Sequence, residues 1–400
     1  MLSICIICKN EEKNIDNCLK SFNNTGYEII VVDTGSTDNT KEIARKYTSK
    51  VYNFEWCDDF SAAKNFAVSK ASNDIVMVID SDEYLNQIDI NALESLIKDN
   101  DYRVGRIQRR NVFHRNGIEQ ENREWINRIF SKKNFRYEGR IHEQLVSIDR
   151  NEKYETYQAP VTILHSGYDL SEDECRKKAE RNINLLNEEL HQLVLKCSDI
   201  FQNTCEQFTC SDSLIYINEL LKVLKQDNES AHRLQKDEHI PYVLYQLGKG
   251  YYMAGNYQNA CIYFECGLYF DLNPKLEYVI DMVQTYGYAL LNSGQARQAL
   301  FMENIYDEFG KTADFKFLMG LIYMNNEMYK EAVCEFENAT RMPDGHTVGT
   351  NSYLANYNIG VIYECLGNAE KAKKCYKKCG KYILAHRRLD KLRSNREIIT

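Results

Sequence analysis

The chain has 400 residues, 44% hydrophobic and 27% charged. That is the balance of a folded protein with about two or three domains, and it excludes the disordered and fibrous classes. A formal net charge of -8, with Lys and Arg interspersed among Asp and Glu, argues against nucleic acid or an anionic membrane as the main partner.

No apolar run approaches the roughly 20 residues of a membrane-spanning helix. Leu2 to Cys8 is apolar but short, lacks a basic segment before it and runs into Lys9-Asn10-Glu11-Glu12. It reads as a buried strand and not as a signal peptide, so no membrane span and a cytoplasmic location are expected. The 14 cysteines invite a disulfide or zinc reading. Cys5 and Cys8 form a CxxC, but residues three apart on a strand point to opposite faces and cannot share a metal. Most of the others occupy apolar helix positions, where a reduced Cys is a small hydrophobe.

From Leu2 to about Leu85, short runs rich in Ile and Val alternate with helical segments. The runs Leu2–Cys8, Glu28–Asp33, Val51–Phe54 and Ile75–Asp80 read as fully buried strands. Ile15, Cys18, Leu19 and Phe22 follow the i, i+3, i+4, i+7 helical pattern. Ser36, Thr37 and Asp38 suit the start of a second helix, and Asp59 with Ser61 the start of a third. Alternating strands and helices predict an α/β domain with a doubly wound, mainly parallel sheet, whose ligands gather at the carboxyl ends of the strands. Polar residues cluster there: Lys9-Asn10-Glu11, Asp33-Thr34-Gly35-Ser36 and Asp80-Ser81-Asp82. From Arg103 to Gly167 the pattern becomes mixed, and a long helix is expected from Ser171.

The last 160 residues or so repeat a pattern, the mark of stacked helical units. Ala260, Ala299, Ala332 and Ala372 are spaced by 39, 33 and 40 residues. Twelve positions before each stands Gly248, Gly287, Gly320 or Gly360, and nine positions before stands Tyr251, Leu290, Tyr323 or Tyr363. Small residues at two fixed points let paired helices approach closely. Tetratricopeptide-like repeats are expected over 241–390, an all-α domain, with 191–240 as a helical linker or insertion and 1–190 as the α/β domain.

Asp80-Ser81-Asp82 follows its strand directly, so two carboxylates one residue apart can reach one divalent ion. Oxygen ligands suit Mg²⁺ or Mn²⁺, which bridge a diphosphate. On its own an acidic turn after a strand is commonly just solvated. Its surroundings carry more. Ser3–Glu11, then Ile30 to Thr40, then Asp59-Phe60-Ser61-Ala62-Ala63-Lys64-Asn65, then Val78 to Glu83 resemble, in order and spacing, the family 2 glycosyltransferases. Arg136 to Glu143, Leu164-His165-Ser166-Gly167-Tyr168 and Arg181 to Leu186 are similar to one bacterial subgroup, which includes the sublancin-type peptide S-glycosyltransferases that modify bacteriocin precursors.

The resemblance implies a GT-A fold and inverting transfer from a nucleoside-diphosphate sugar, UDP-linked in many members. It places Asn10, Glu11 and Asp33 around the nucleoside, Lys64 at the diphosphate, and Asp80 with Ser81 at the ribose and sugar. Asp82 would hold the metal, with Asp80 beside it and His165 completing the site. An alternative for His165 is a core imidazole bonded to a carbonyl. Many members carry an acid where Thr34 stands, at a position that often touches the base. Inverting transfer needs a base opposite the leaving group, and Glu143 fills that role with Glu138 as substitute. A carboxylate there could equally cap a helix or pair with Arg140. His142 and Trp125 are candidates for substrate contact, Trp125 by stacking on a sugar face.

The acceptor expected is a peptide or protein side chain, Cys or Ser/Thr, with the repeats positioning it or building a homodimer. One alternative is a cell-surface glycan or lipid-linked sugar. Another is a repeat-based scaffold with an inactive α/β domain, which predicts loss of the acidic residues that in fact persist here.

Overall fold

The structure, a computed structural model, describes the backbone of residues 1–98, 100–115, 118–149, 154–165, 172–197, 213–226 and 229–397. Ser166, Gly167, Tyr168 and the helix start expected at Ser171 lie outside the described residues. The chain divides into two compact units, Met1–Leu170 and Ser171–Thr400.

The first unit is built on an eight-stranded sheet in the order β3-β2-β1-β4-β7-β6-β10-β5. The strands are β1 (Leu2–Cys8), β2 (Glu28–Asp33), β3 (Val51–Asn53), β4 (Ile75–Asp80), β5 (Glu83–Ile88), β6 (Arg103–Arg115), β7 (Ile118–Ser131) and β10 (Glu155–His165). A separate two-stranded ribbon pairs β8 (Phe135–Glu138) with β9 (Gln144–Ser147). The β3-β2-β1-β4 half is parallel, β7 and β5 run antiparallel to their neighbours, and β6 and β10 are parallel to each other. The mainly parallel, doubly wound sheet is therefore present. The strand order turns about β1, where a ligand crevice is expected.

The continuous apolar strands follow from burial on both faces. Ile4, Ile6 and Cys8 enter one core with Ile15, Cys18, Leu19 and Phe22 of helix α1 (Ile15–Phe22). Cys5 enters the other, with Ala67 and Val68 of helix α3 (Phe60–Ser69). Cys5 and Cys8 thus sit on opposite sides of the sheet, and burial pushes both thiols up to about 12. All described cysteines are free. The caps divide. Asp59 accepts from the Ala62 N–H at 2.9 Å and so starts α3. Helix α2 (Thr40–Ala44) begins after Asn39 without a side-chain cap, although Asp38 accepts from the Thr40 N–H at 3.0 Å.

The second unit is helical, and among the described residues no helix is long and apolar enough to cross a membrane. The helix Glu172–Cys197, read above with the N-terminal domain, falls in this unit and packs on the helix His239–Met253. The expected pairs follow: His239–Met253 with Tyr257–Gly267, Ala313–Asn325 with Tyr329–Ala339, and Tyr353–Cys365 with Ala369–Lys377. In the remaining repeat, Glu277–Asn292 is followed by a 3-10 segment, Gln298–Ile305, in place of a full second helix. The four anchor alanines are completely buried.

The repeat glycines have a steric cause. A Cβ on Gly248, Gly320 or Gly360 would lie 2.6, 2.6 or 2.4 Å from the ring of Phe264, Phe336 or Tyr376. Each ring stands sixteen residues after its glycine and seats its helix on the partner helix. In a helix with open surroundings Gly→Ala stabilises by up to about 1 kcal/mol. Here overpacking wins, and Gly320→Ala should destabilise the repeat unit by about 1–3 kcal/mol. Urea denaturation of the single variant beside Gly320→Ala/Phe336→Leu measures this. The second change should recover part of the loss, and a single variant more stable than wild type would refute the packing argument.

Candidate active site

The loops after β1 and β2 are stitched together by side chains. Asn10 takes a left-handed conformation (φ 55°) that Asn tolerates better than most residues. Its N–H donates to Ser36 Oγ at 2.9 Å, and its Oδ1 accepts from the Thr37 N–H at 2.8 Å. The Glu11 N–H donates to Thr40 Oγ1 at 2.7 Å, and Glu11 Oε2 accepts from Asn14 at 2.8 Å. Asp33, 1% exposed, accepts from the N–H groups of Gly35 and Ser36 at 3.1 and 3.0 Å. Gly35 has φ 103°, which a side chain would strain. Thr34 is buried and donates to the Cys8 carbonyl at 3.2 Å, so it ties the two strand ends together. Asn10, Glu11 and Asp33 therefore share one end of the parallel strands.

The loop after β4 is equally fixed. The Asp80 N–H donates to Glu83 Oε2 at 2.9 Å, and the Cys18 thiol approaches the Asp80 carbonyl at 3.8 Å. Ser81 is buried. Both Asp80 oxygens meet cations: Oδ1 lies 3.0 Å from Lys64 Nζ and Oδ2 lies 2.5 Å from Arg128 Nη2. Lys64 also reaches Glu143 Oε1 at 2.6 Å and stands 5.5 Å over the Tyr137 ring.

Burial alone would lower the Lys64 pKa, but the Asp80 and Glu143 carboxylates outweigh it and hold the ammonium above its usual range. Burial would raise Asp80, yet Arg128 and Lys64 keep it well below the ordinary carboxylate range. At Arg128 burial is likewise outweighed, here by the Asp80 and Glu83 carboxylates, which raise its pKa.

The remaining metal candidates meet at the end of β10. Antiparallel pairing sets His165 opposite Glu83, and parallel pairing sets it opposite Asn111. His165 Nε2 is 3.3 Å from Asp82 Oδ2, and Nδ1 is 2.8 Å from Asn111 Oδ1. Both His165 and Asp82 are largely buried. Among the described residues no group of three His, Cys, Asp or Glu side chains could hold a metal. A carboxylate oxygen and an imidazole nitrogen converge here, and the carboxylate is the ligand type that Mg²⁺ and Mn²⁺ favour.

The other candidates are distributed unevenly. Glu143 joins the cluster through Lys64, whereas Glu138 pairs with Arg136 on β8, 2.5 Å from Nη2. His142, half-buried, has φ 51°, and its carbonyl accepts from Gln144 Nε2 at 3.0 Å. Trp125 lies on β7, on the sheet face opposite Glu124 and Ile126 and shared with Asn127.

Several buried groups were not assigned from sequence. Glu83 is 0% exposed and binds Arg109 at 3.1 Å and Arg128 at 2.9 Å. Arg109 continues to Glu124 at 2.8 Å, and Glu124 accepts from Asn111 Nδ2 at 2.6 Å. Arg128 reaches the site because the ladder slips: Ile129 pairs with Gly105 and Asn127 with Arg106, leaving Arg128 as the extra residue of a β-bulge. Gly105 allows it, since a Cβ there would sit 2.9 Å from that of Ile129. The available signal was a polar side chain at every second position, Arg109 and Asn111, continuing the face of the buried Ile107.

Residues 3–146 match the family model Glycosyl transferase family 2, and residues 353–381 match Tetratricopeptide repeat. The chain thus joins a family 2 glycosyltransferase domain to tetratricopeptide repeats. It is 27% identical over 197 residues to the SPbeta prophage-derived glycosyltransferase SunS of Bacillus subtilis, covering 46% of this chain and 44% of that protein. The lipopolysaccharide core biosynthesis glycosyltransferase LpsC of Rhizobium meliloti is 32% identical over 154 residues, 36% of this chain and 57% of that protein. A TPR repeat-containing protein of Synechococcus elongatus is 42% identical over 84 residues, 21% of each chain. The chain spans less than two thirds of the length of each of these relatives.

Asp80 contributes stability above the ordinary carboxylate pKa, near 3.9, and that contribution disappears as pH falls through its lower folded value. Arg128→Met leaves Asp80 with Lys64 alone and Glu83 buried with Arg109 alone. The variant should lose on the order of 3 kcal/mol of stability at neutral pH, and the deficit should shrink in acid as Asp80, without Arg128, takes up its proton in the variant before it does in wild type. Urea denaturation between about pH 7 and 3 follows this, and a deficit that grows in acid would contradict it.

Proposed function

We propose that the chain is an inverting glycosyltransferase that binds a nucleoside-diphosphate sugar at the carboxyl ends of β1, β2 and β4 and transfers the sugar to a peptide or protein side chain. The observation that carries this reading is the cluster in which one ammonium, Lys64, is held between Asp80 and Glu143, at the strand end that also presents Asp82 and His165. Asn10, Glu11 and Asp33 line the nucleoside side, and Lys64 turns its charge to the diphosphate. Asp80, held by two cations, orients ribose and sugar hydroxyls with the neighbouring Ser81. Asp82 and His165 would hold Mg²⁺ or Mn²⁺, which supplies positive charge against the departing diphosphate.

In the transfer the acceptor O–H or S–H gives its proton to the Glu143 carboxylate. The acceptor atom forms a bond to the anomeric carbon from the side opposite the leaving group. The bond from that carbon to the phosphate oxygen breaks, and the nucleoside diphosphate leaves with its electron pair. While Lys64 pairs with Glu143, the ammonium occupies the carboxylate oxygen that would take the proton. A diphosphate that draws the ammonium away frees it, so donor binding prepares the base. His142 precedes Glu143 on the same loop and contacts substrate there, and Glu138 is the reserve base.

The peptide acceptor rests on the sublancin-type resemblance and on the repeats, which position the acceptor or a second copy of the chain. The similarity to LpsC favours a second reading, in which the acceptor is a cell-envelope glycan. Intact-mass analysis of peptides and of oligosaccharides, each incubated with a panel of nucleotide sugars and Mn²⁺, separates the two. A mass gain of one sugar on a peptide is expected, and gain only on the oligosaccharide would transfer the assignment to the glycan.

The roles should fail differently. Glu143→Gln should lower kcat by roughly 10²–10⁴ with donor affinity by calorimetry almost unchanged. With a cysteine acceptor its rate should recover as pH approaches about 8.5, where the thiolate forms unaided. Wild-type turnover at pH 7 would remove Glu143 from the role. Asp82→Ala should abolish transfer, as should a chelator on the wild type, with Mn²⁺ or Mg²⁺ restoring only the latter. Full activity in excess chelator would refute the metal requirement.

A further inference from the structure

A carboxylate only accepts hydrogen bonds, so the group that Asn111 presents to Glu124 at 2.6 Å must be its NH₂. That fixes the amide: its carbonyl oxygen is the atom 2.8 Å from His165 Nδ1. A carbonyl oxygen also only accepts, so His165 must carry a hydrogen on Nδ1. In the neutral imidazole the lone pair then lies on Nε2, the nitrogen 3.3 Å from Asp82 Oδ2. Two lone pairs at that separation repel unless a positive charge is shared between them, whether a proton or a metal cation. Glu124 cannot easily turn away, because Arg109 grips the same Oε1 through Nε at 3.0 Å and Nη2 at 2.8 Å. Arg109 in turn is anchored on the fully buried Glu83.

We propose that Asn111 is a positioning residue that, oriented by Glu124, holds His165 as the Nδ1–H tautomer and so turns the Nε2 lone pair and the Asp82 carboxylate into a two-ligand seat for a divalent cation. This rests on the metal reading given above and adds what makes the histidine ready for it. Asn111 is 4% exposed and bonded to Glu124 and His165, so it acts through His165. A ligating imidazole is commonly oriented by a hydrogen bond to its other nitrogen, and loss of that bond weakens metal affinity by about 10–100-fold.

The full chain is labelled with ¹⁵N-histidine, and the two ring nitrogens of neutral His165 are read by NMR without metal, after assignment with His165→Gln. Mn²⁺ affinity is then measured by the resonance of free Mn²⁺ in the presence of UDP. Wild type should show Nδ1 protonated and Nε2 bare. Asn111→Leu should mix the tautomers and weaken Mn²⁺ binding by about 10–100-fold, with circular dichroism and melting reporting the fold. Glu124→Gln, which allows the Asn111 amide to rotate, should mix them too with less disturbance, and it serves if Asn111→Leu does not fold. A wild-type proton on Nε2 overturns the proposal. So do unmixed tautomers with wild-type Mn²⁺ affinity in both variants. If the tautomer is as expected but Mn²⁺ leaves the His165 resonances unperturbed, the metal reading fails, and the seat with it, while the orientation by Asn111 stands.

Discussion

A carboxylate removed from water must be matched by positive charge, or it costs more than a fold of this size can absorb. Glu83, at the start of β5, has no solvent exposure and sets that condition for the whole site. Two guanidiniums meet it, Arg109 and Arg128, and neither stops there. Arg128 passes charge to Asp80 and Arg109 passes it to Glu124. From those two the network reaches Lys64 and Glu143 on one side and Asn111 and His165 on the other. Lys64, Asp80, Glu143 and His165 are thus members of one array of paired charges and hydrogen bonds. Its rigidity holds side chains from β4, β5, β6, β7 and β10 in fixed relation, as electrostatic preorganisation requires.

The parallel half of the site was legible in the sequence because its signals are local. Apolar runs mark β1, β2 and β4, the helical period marks α1, and polar residues mark the strand ends, which puts Asn10, Glu11, Asp33, Asp80 and Asp82 at one edge of the sheet. The antiparallel half was not. Arg128 enters through a one-residue slip in the β6–β7 ladder, and register is a property of two strands that neither displays alone. Asn111 and Glu124 depend on the same pairing. Asp33, read as a nucleoside contact, also holds its own turn, a use that an acid before Thr34-Gly35-Ser36 announces locally.

In the helical unit the visible and hidden parts divide by the same rule. Small residues at fixed spacing announced close helix pairs, and the steric reason, an aromatic ring sixteen residues on, is also present in the sequence at Phe264, Phe336 and Tyr376. The repeat built on Gly287 lacks that ring and is filled by Met302 and Leu318. It is also the repeat whose second element is a 3-10 segment. Where the ring is missing, so is the regular second helix it would hold.

Helix α3 shows how Glu143 and Lys64 are kept together. Lys64 lies on that helix, and Asn65, the next residue, exchanges two hydrogen bonds of 2.9 Å with the Tyr137 backbone on β8. At the start of the helix the Phe60 N–H donates to the Arg140 carbonyl at 2.8 Å. Two points of the segment carrying Glu143 are therefore fastened to the element that carries Lys64. Between them and β9 the chain turns through Gly139 (φ 104°) and His142 (φ 51°). Glycine accommodates the first without cost, but a left-handed histidine carries strain of order 1–3 kcal/mol that the anchored ends must sustain. That strained residue comes immediately before Glu143 and aims its carboxylate at Lys64. A relaxed loop would leave the distance between carboxylate and ammonium to chance, whereas this one, fixed by α3 at both anchors, sets it at 2.6 Å.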